Sequence, residues 1–189
     1  MDIYEGRYHM KSTAIIYQSK YGSTRKYAEW IYESIGGDLY EKSEISINKL
    51  KQYDVIIYGG GLYLWKILGF SFIKNNYKYL EGKEIVTFSV GVSPFDTGII
   101  YEIKENNFPE EMRYIPCFYL RGSFDKCSIT LKDKIIINIL IKIFYNDKEN
   151  KQYEEWEKLF LDSMNSGGDW SSKEYLKPIL DYMDIIYKR

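Results

Sequence analysis

The stretch that decides the fold is AIIYQSKYGSTRKYAEWI, from Ala14 to Ile31. An apolar run ends in the small and polar residues 19–24, and apolar residues then recur at helical spacing, at Ala28, Ile31 and Ile35. The pattern predicts a buried strand, a short loop and an amphipathic helix that follows the loop directly.

The loop itself has the composition of an anion site. Ser19, Ser23 and Thr24 place hydroxyl groups next to the free N–H groups of a helix N-terminus, where the helix dipole also favours negative charge. Gly22 lets the backbone approach a ligand closely. We therefore expect a phosphate here; the alternative is a capped helix start that binds nothing.

Composition excludes several other classes of protein. The net charge of -1 over 189 residues provides no basic face for nucleic acid. His9 is the one histidine, which argues against histidine metal sites and Ser-His-Asp triads, so we expect no metal. The two cysteines lack CxxC spacing and favour buried thiols in a reducing, cytoplasmic environment. Residues 1–10 have no apolar segment and are expected to be a leader outside the core, with 11–189 forming a single domain.

Apolar runs and helical segments alternate along the chain. We predict strands at 13–17, 38–41, 55–58, 85–90 and 115–120, and helices over 24–36, 66–80, 97–107 and from Ser171 onward, where Ser171 and Glu174 suggest a capping box. Strands joined by helices indicate an α/β fold with a doubly wound, five-stranded parallel sheet. Ligands of such sheets bind beyond the carboxyl ends of the strands, which selects the loops 19–24, 59–65 and 91–97.

Two common nucleotide-binding motifs are absent from these loops. The sequence contains no GxxxxGK[ST], so a P-loop nucleotidase is not expected. GGGLYL supplies a G-x-G at Gly59 and Gly61, but Leu64 stands where a dinucleotide fingerprint requires a third glycine. A pyrophosphate site is therefore not expected.

The three loops resemble those of the flavodoxin family. Ser19-x-x-Gly22-x-Thr24 is similar to the loop that binds the FMN phosphate in flavodoxins, whereas YDVIIYGGGLY and VTFSVGVSPF are similar to the segments that bring an aromatic side chain to each face of the flavin. The resemblance implies the strand order 2-1-3-4-5, FMN as cofactor, and Tyr63 and Phe95 beside its ring. The cofactor-binding residues that it implies are Ser19, Lys20, Tyr21, Gly22, Ser23, Thr24, Gly60, Gly61, Leu62, Tyr63, Val90, Gly91, Val92 and Phe95.

A subfamily is also suggested by CFYLRGSFD, KDKIIINILIKIF and GGDW, which resemble the menaquinone-dependent protoporphyrinogen oxidases. The resemblance implies a helical insertion after the fifth strand, at about 123–168, and an FMN-dependent oxidoreductase that reacts with a quinone or a redox partner protein. The alternatives are an electron carrier without enzymatic activity and a flavin-binding module that acts through the insertion. No side chain is assigned as a general base, and Arg121 is a candidate for steadying a reduced flavin or an acidic substrate, against an ordinary solvated or salt-bridged arginine.

The helix expected near residues 133–145 of the insertion is unusually apolar. Lys134, Asn138 and Lys142 form a narrow polar ridge, and aliphatic or aromatic residues cover the rest. Leaving that surface in water would be unfavourable. Packing against the domain, a homodimer contact and a peripheral contact at the inner face of the membrane are the alternatives, since about a dozen residues are too few to span a bilayer.

Overall fold

The computed structural model describes residues 11–146 and 155–188, so the expected leader at 1–10 and part of the insertion lie outside the described residues. A five-stranded parallel sheet forms the centre of the fold. Its strands are β1 (Thr13–Gln18), β2 (Asp38–Glu41), β3 (Val55–Tyr63), β5 (Glu84–Gly91) and β6 (Cys117–Arg121). The strand β4 (Lys66–Ile67) pairs antiparallel with the end of β3.

The order β2-β1-β3-β5-β6 confirms the predicted topology, because the five parallel strands follow the order 2-1-3-4-5. Alternate residues of β1 face opposite sides of the sheet: Ile16 joins one apolar cluster and Ile15 the other. Helix α1 (Ser23–Ile35) and helix α7 (Lys177–Tyr187) cover one side. Helices α2 (Ile47–Leu50), α3 (Ser71–Lys74) and α4 (Thr97–Asn107) cover the other.

The single helix predicted over 66–80 is wrong. This segment contains β4, α3 and a 3-10 turn at Tyr77–Leu80. Gly69 interrupts the helical pattern, since it has a left-handed φ of +72° and packs against Gln18 and the Tyr58 hydroxyl, where a side chain would not fit. Pairing of Leu62 with Ile67 also draws the start of the segment into a hairpin.

The N-cap of the last segment is one residue later than predicted, and it is a serine cap in place of the predicted capping box. Ser172, not Ser171, accepts a hydrogen bond from the Glu174 N–H at 3.2 Å and begins a 3-10 turn at Lys173–Leu176. Helix α7 starts after that turn, with Pro178 in its first positions, where a missing N–H is harmless. Pro178 therefore delays the helix and does not kink it.

The insertion, residues 123–168, leaves the sheet at β7 (Ser123–Phe124) and returns at β8 (Gly168–Asp169), which pair antiparallel. Between them lie helix α5 (Leu131–Asn146) and helix α6 (Glu155–Ser166). Phe124, Ile129 and Met164 form a small apolar core of their own. Within 11–146 and 155–188, no helix combines the length and the apolar character needed to cross a membrane.

Candidate functional site

A cavity of about 520 Å³ lies at the carboxyl ends of β1, β3 and β5, between the sheet and the insertion. The predicted site residues meet there, with the exception of Gly22, Gly60 and Phe95, which do not line it. Those that do are Ser19, Lys20, Tyr21, Ser23, Thr24, Gly61, Leu62, Tyr63, Val90, Gly91 and Val92. The sequence pattern thus selected the three loops that form the sheet side of the cavity wall.

The loop before α1 leaves the helix N-terminus open. Gly22 stands at the N-cap with a left-handed φ of +96°, and no side chain caps the helix. Ser19 Oγ accepts a hydrogen bond from the Gly22 N–H at 3.0 Å, so its own proton stays available to a ligand. Gly22 shapes this loop without touching the cavity.

Thr24 is the hydroxyl best placed to receive a ligand. Its side chain is buried, lines the cavity and has no hydrogen-bond partner among the described residues. Ser23, in contrast, is engaged with the insertion, because its Oγ lies 2.6 Å from Ser123 Oγ and accepts a hydrogen bond from the Ser123 N–H. With no acidic residue in the first turn of α1, the open N–H groups and Thr24 form a site that fits an anion.

The second loop is a tight hairpin and not an open loop. Leu64 and Trp65 form its two-residue turn between β3 and β4, with φ of 51° and 62°, a conformation unusual for side chains of this size. Asn107 holds the turn: its side chain donates to the Trp65 carbonyl at 2.6 Å and accepts from the Ile67 N–H at 2.8 Å. The strained turn places Tyr63 and Trp65 in the cavity wall.

The third loop contributes a close backbone approach. A Cβ on Gly91 would lie 2.6 Å from the Tyr119 hydroxyl, so glycine is required at this position. Tyr119 in turn donates to the Ser93 carbonyl at 2.7 Å and fixes the loop. Phe95 is 56% exposed and is not among the residues that line the cavity, so the structure does not place it with the other residues predicted to bind the flavin.

The insertion supplies a wall that the sequence did not reveal. Its apolar part comes from Phe124, Ile129, Ile136, Ile137, Phe160 and Met164, and its polar part comes from Ser123, Lys132 and Asp133. The apolar pattern of α5 signalled a buried face but not which part of the molecule it covers. In the structure Ile136 and Ile137 are half-buried toward the cavity, whereas Leu131, Ile135 and Ile139 are exposed.

Asp133, also missed from the sequence, is the one acidic residue among the described residues that line the cavity. It lies in the first turn of α5, is only 1% exposed, and accepts hydrogen bonds from the Tyr21 hydroxyl and from the Tyr63 hydroxyl at 3.0 Å. Lys20 Nζ lies 2.5 Å from its carboxylate. Burial alone would raise the pKa of Asp133, but the bonds from Lys20, Tyr21 and Tyr63 outweigh burial and hold the pKa well below its usual range.

The same contacts also shift the pKa values of the residues that bind Asp133. The hydrogen bond to Asp133 raises the pKa of Lys20, and burial, followed by that bond, raises the pKa of Tyr63. The Lys20 ammonium also lies 5.4 Å and 5.3 Å from the ring centres of Tyr21 and Tyr63. Lys20, Tyr21, Tyr63 and Asp133, called the Asp133 cluster below, therefore form one charged unit at the cavity rim.

Arg121 holds the insertion to the sheet and does not line the cavity. Its Nε donates to the Val92 carbonyl at 3.1 Å, its Nη2 donates to Ser163 Oγ at 3.0 Å, and its guanidinium stacks on the Trp170 ring. Arg121 therefore has a structural role in place of the solvated or salt-bridged one considered from the sequence. A role for Arg121 at a ligand has no support from its position.

Two further features concern metal and thiol chemistry. In the part of the chain that the structure describes, no three His, Cys, Asp or Glu residues gather as a metal site would require. Cys117 is buried as expected, but Cys127 is exposed in the turn before α5, which corrects the expectation of two buried thiols. Neither cysteine lines the cavity.

Among the solved structures that match this chain is the flavodoxin, WrbA-like protein from Agrobacterium tumefaciens, at 16% identity and a TM-score of 0.46, covering 65% of this chain and 87% of that one. The Trp repressor binding protein from Bacillus subtilis matches at 13% identity, a TM-score of 0.46, and 59% and 83% coverage. A flavoprotein in complex with FMN from Lactobacillus acidophilus NCFM matches at 17% identity, a TM-score of 0.41, and 59% and 92% coverage.

No curated protein matches the chain in sequence. The family model described as "Flavodoxin domain" matches residues 14–151, which include the sheet, the three loops of the cavity and α5. That match covers well over half of the chain, in agreement with the observed strand order. The chain belongs to the flavodoxin domain family.

Proposed function

We propose that the cavity binds FMN and that the protein is a flavin-dependent redox protein. The observation that carries the proposal is the open N-terminus of α1, where the hydroxyl of Thr24 lines the cavity and has no hydrogen-bond partner among the described residues, at one end of a cavity that has aromatic residues in its wall. An anion site joined to a largely apolar chamber suits a ligand with a phosphate and a flat ring.

The residues divide between the two parts of such a ligand. Ser19, Thr24 and the first N–H groups of α1 would hold the phosphate, and each hydrogen bond to its charge contributes roughly 1.5–3 kcal/mol. Tyr63 and Trp65 would contact the ring, while backbone groups of Gly61 and Gly91 can reach its polar edge. The bound flavin would supply the electron or hydride transfer, and the protein its position and surroundings.

The finer proposal is a quinone-linked oxidoreductase of the protoporphyrinogen-oxidase-like group. It is supported by the resemblance of the insertion sequence and by the apolar wall from Phe124, Ile136, Ile137 and Phe160, which suits an apolar acceptor. A cytoplasmic protein with a peripheral contact at the inner face of the membrane fits this proposal. The exposed Leu131, Ile135 and Ile139, next to Lys134 and Lys142, would form that contact or a homodimer contact.

A second candidate is an electron carrier without enzymatic activity. It is favoured by Leu64 and Trp65, which are part of the cavity wall and yet substantially exposed, so that a partner protein could dock beside the flavin. Reduction of the purified flavoprotein, followed by mixing with quinones, porphyrinogens or carrier proteins, distinguishes the two. Rapid reoxidation by quinone supports the enzyme, and reoxidation by carrier proteins alone supports the carrier.

Titration with FMN tests the coarser proposal first. We expect the purified protein to be yellow, to release FMN on denaturation, and to bind FAD much more weakly, because no dinucleotide fingerprint is present for a pyrophosphate. A colourless protein whose flavin absorbance and fluorescence do not change on addition of FMN would refute it.

A further inference from the structure

The Asp133 cluster joins three separate parts of the chain. Lys20 and Tyr21 belong to the loop before α1, Tyr63 ends β3, and Asp133 belongs to the first turn of α5. The Thr130 N–H also donates to the Tyr21 hydroxyl, at 3.4 Å, and the Asp133 N–H donates to Thr130 Oγ1 at 3.2 Å. All four members of the cluster line the cavity, so these bonds fix the position of α5 over it.

The closed arrangement depends on all of these bonds together. A buried carboxylate is strongly unfavourable unless its lone pairs are filled by good donors, and here Lys20, Tyr21 and Tyr63 fill them. Once α5 moves away, water can solvate the carboxylate instead. Such a cluster favours either a fully closed or a fully open position of the helix over intermediate ones.

The cluster is also separate from the contacts at the base of the insertion. There Ser23 contacts Ser123, Arg121 donates to Ser163, and Lys26 Nζ lies 3.0 Å from the Asp169 carboxylate. None of these residues belongs to α5. Within the described residues, Asp133 forms the hydrogen bonds and the ion pair that join α5 to the loop before α1 and to the end of β3, whereas Ile137 packs against the small core of the insertion. Opening of the Asp133 bonds would therefore release α5 from the sheet side of the cavity without breaking the contacts at the base.

We propose that Asp133 is a latch residue: its bonds to Lys20, Tyr21 and Tyr63 hold α5 closed over the cavity, and FMN enters and leaves when these bonds open. The inference rests on the proposed function, since it takes FMN as the ligand. It assigns Asp133 a positioning role that controls the rate of cofactor exchange and no part in electron transfer.

Asp133→Asn tests the latch, because it keeps the shape of the side chain and removes its charge. We expect the variant to bind FMN to the apoprotein faster and also to release it faster, each by about tenfold or more, since a charged hydrogen bond contributes enough to change a rate by that factor. Stopped-flow flavin fluorescence measures both rates. Asp162→Asn is the matched control, because Asp162 is an exposed acid of the same insertion and does not line the cavity.

A second measurement needs no flavin. Hydrogen exchange of residues 130–139 in the apoprotein should be faster in Asp133→Asn than in the wild type, with unchanged exchange in the sheet. If Asp133→Asn fails to fold, Tyr21→Phe replaces it, since it removes one donor and keeps the ring; a severalfold increase in both rates is then expected.

Three results would overturn the latch. The latch is refuted if a folded Asp133→Asn variant binds and releases FMN at the wild-type rates. It is also refuted if the variant binds FMN faster but releases it more slowly, since Asp133 would then only repel the phosphate. Absence of FMN binding by the wild type refutes the proposed function, and the latch falls with it. Wild-type binding without a rate change in the variant refutes the latch alone.

Discussion

The two walls of the cavity differ in how they are held. On the sheet side, Ile57, Tyr58 and Phe88 are completely buried, and the backbone of β3 pairs with its neighbours over most of its length. On the insertion side, the small core of Phe124, Ile129 and Met164 keeps some exposure, and β7 pairs with β8 over two residue pairs. The comparison indicates that the sheet-side wall is rigid, whereas the insertion-side wall relies on a few polar contacts.

The physical reason lies in the number of apolar contacts and backbone hydrogen bonds behind each wall. Regions with little buried apolar area and few paired strands open at a lower free energy than the core of a domain. The loop of residues 19–24 and the Tyr63 hairpin belong to the sheet-side wall, whereas α5 belongs to the insertion-side wall. Ligand placement and ligand access are therefore assigned to different parts of the chain.

The largest effect on stability is expected from substitutions in the apolar cores behind the two walls. Phe88→Ala is expected to lower the free energy of unfolding by about 3–5 kcal/mol, because it leaves a cavity in a fully packed sheet. Phe124→Ala should lower it by less than half as much, since its core is smaller and can open locally. Chemical denaturation followed by far-UV circular dichroism measures both. Equal losses would remove the distinction between the walls.

The next effect concerns FMN affinity. Thr24→Ala should weaken FMN binding by about 1.5–3 kcal/mol, because it removes a free hydroxyl that can donate to the phosphate charge. Ser19→Ala is expected to weaken it within the same range, and Ser34→Ala, at the exposed end of α1, is the control. Isothermal titration measures the affinities. Undiminished affinity in Thr24→Ala and Ser19→Ala would move the phosphate site elsewhere.

Substitution of Gly22 should lower FMN affinity through the backbone conformation of the loop. A Cβ on Gly22 would meet no atom within 4 Å, so the loss of affinity expected for Gly22→Val comes from its left-handed φ of +96°, which valine rarely adopts. We expect FMN affinity to fall by more than in Thr24→Ala, as measured by the same titration. A Gly22→Val variant that binds FMN as the wild type does would show that the loop conformation does not matter for the phosphate.

Neighbouring residues of α5 allow a matched comparison of a smaller effect. Ile136→Glu should lower the free energy of unfolding by about 1–2 kcal/mol, because it places a charge in the half-buried apolar wall. Ile135→Glu should change it by at most about 0.5 kcal/mol, since Ile135 is 61% exposed. Binding to anionic lipid vesicles should fall in Ile135→Glu if this face contacts a membrane. Equal destabilisation of the two variants would mean that α5 is buried all round.

The smallest effect is expected at the base of the insertion. Hydrogen bonds from Ser171 and then Lys26 lower the pKa of Asp169 to about 2. A lowered pKa means that Asp169 stabilises the fold above its ordinary pKa of about 4 and loses that contribution as the pH falls toward 2. Because both side chains of the Lys26–Asp169 pair are substantially exposed, we expect less than about 1 kcal/mol at pH 6.

Asp169→Asn should therefore melt slightly below the wild type at pH 6 and at nearly the same temperature close to pH 2. Thermal melting at several pH values measures the difference. A difference that grows as the pH falls would contradict the assigned sign.

Much of the sheet side was predictable because its signals are local. The apolar run before Ser19, the glycine at position 22 and the helical spacing after Thr24 lie within one short stretch, and they correctly placed β1, the loop and α1. Strand β2 and helix α4 have the predicted bounds for the same reason. The hairpin at Leu64 and Trp65 was missed, since those residues have no turn composition and Asn107, far along the chain, holds the turn.

The sequence by itself determined the doubly wound sheet and the loops that meet at its carboxyl ends, because the period of apolar residues and the positions of glycines fix local structure. Only the tertiary structure decided which face of α5 lines the cavity and which partners Asp133 takes. Asp133 is one acid among 27 acidic residues, and its burial depends on Lys20, Tyr21 and Tyr63, which lie 70 residues or more away in the chain. Contacts of that range have no periodic signature, so folding alone assembles them.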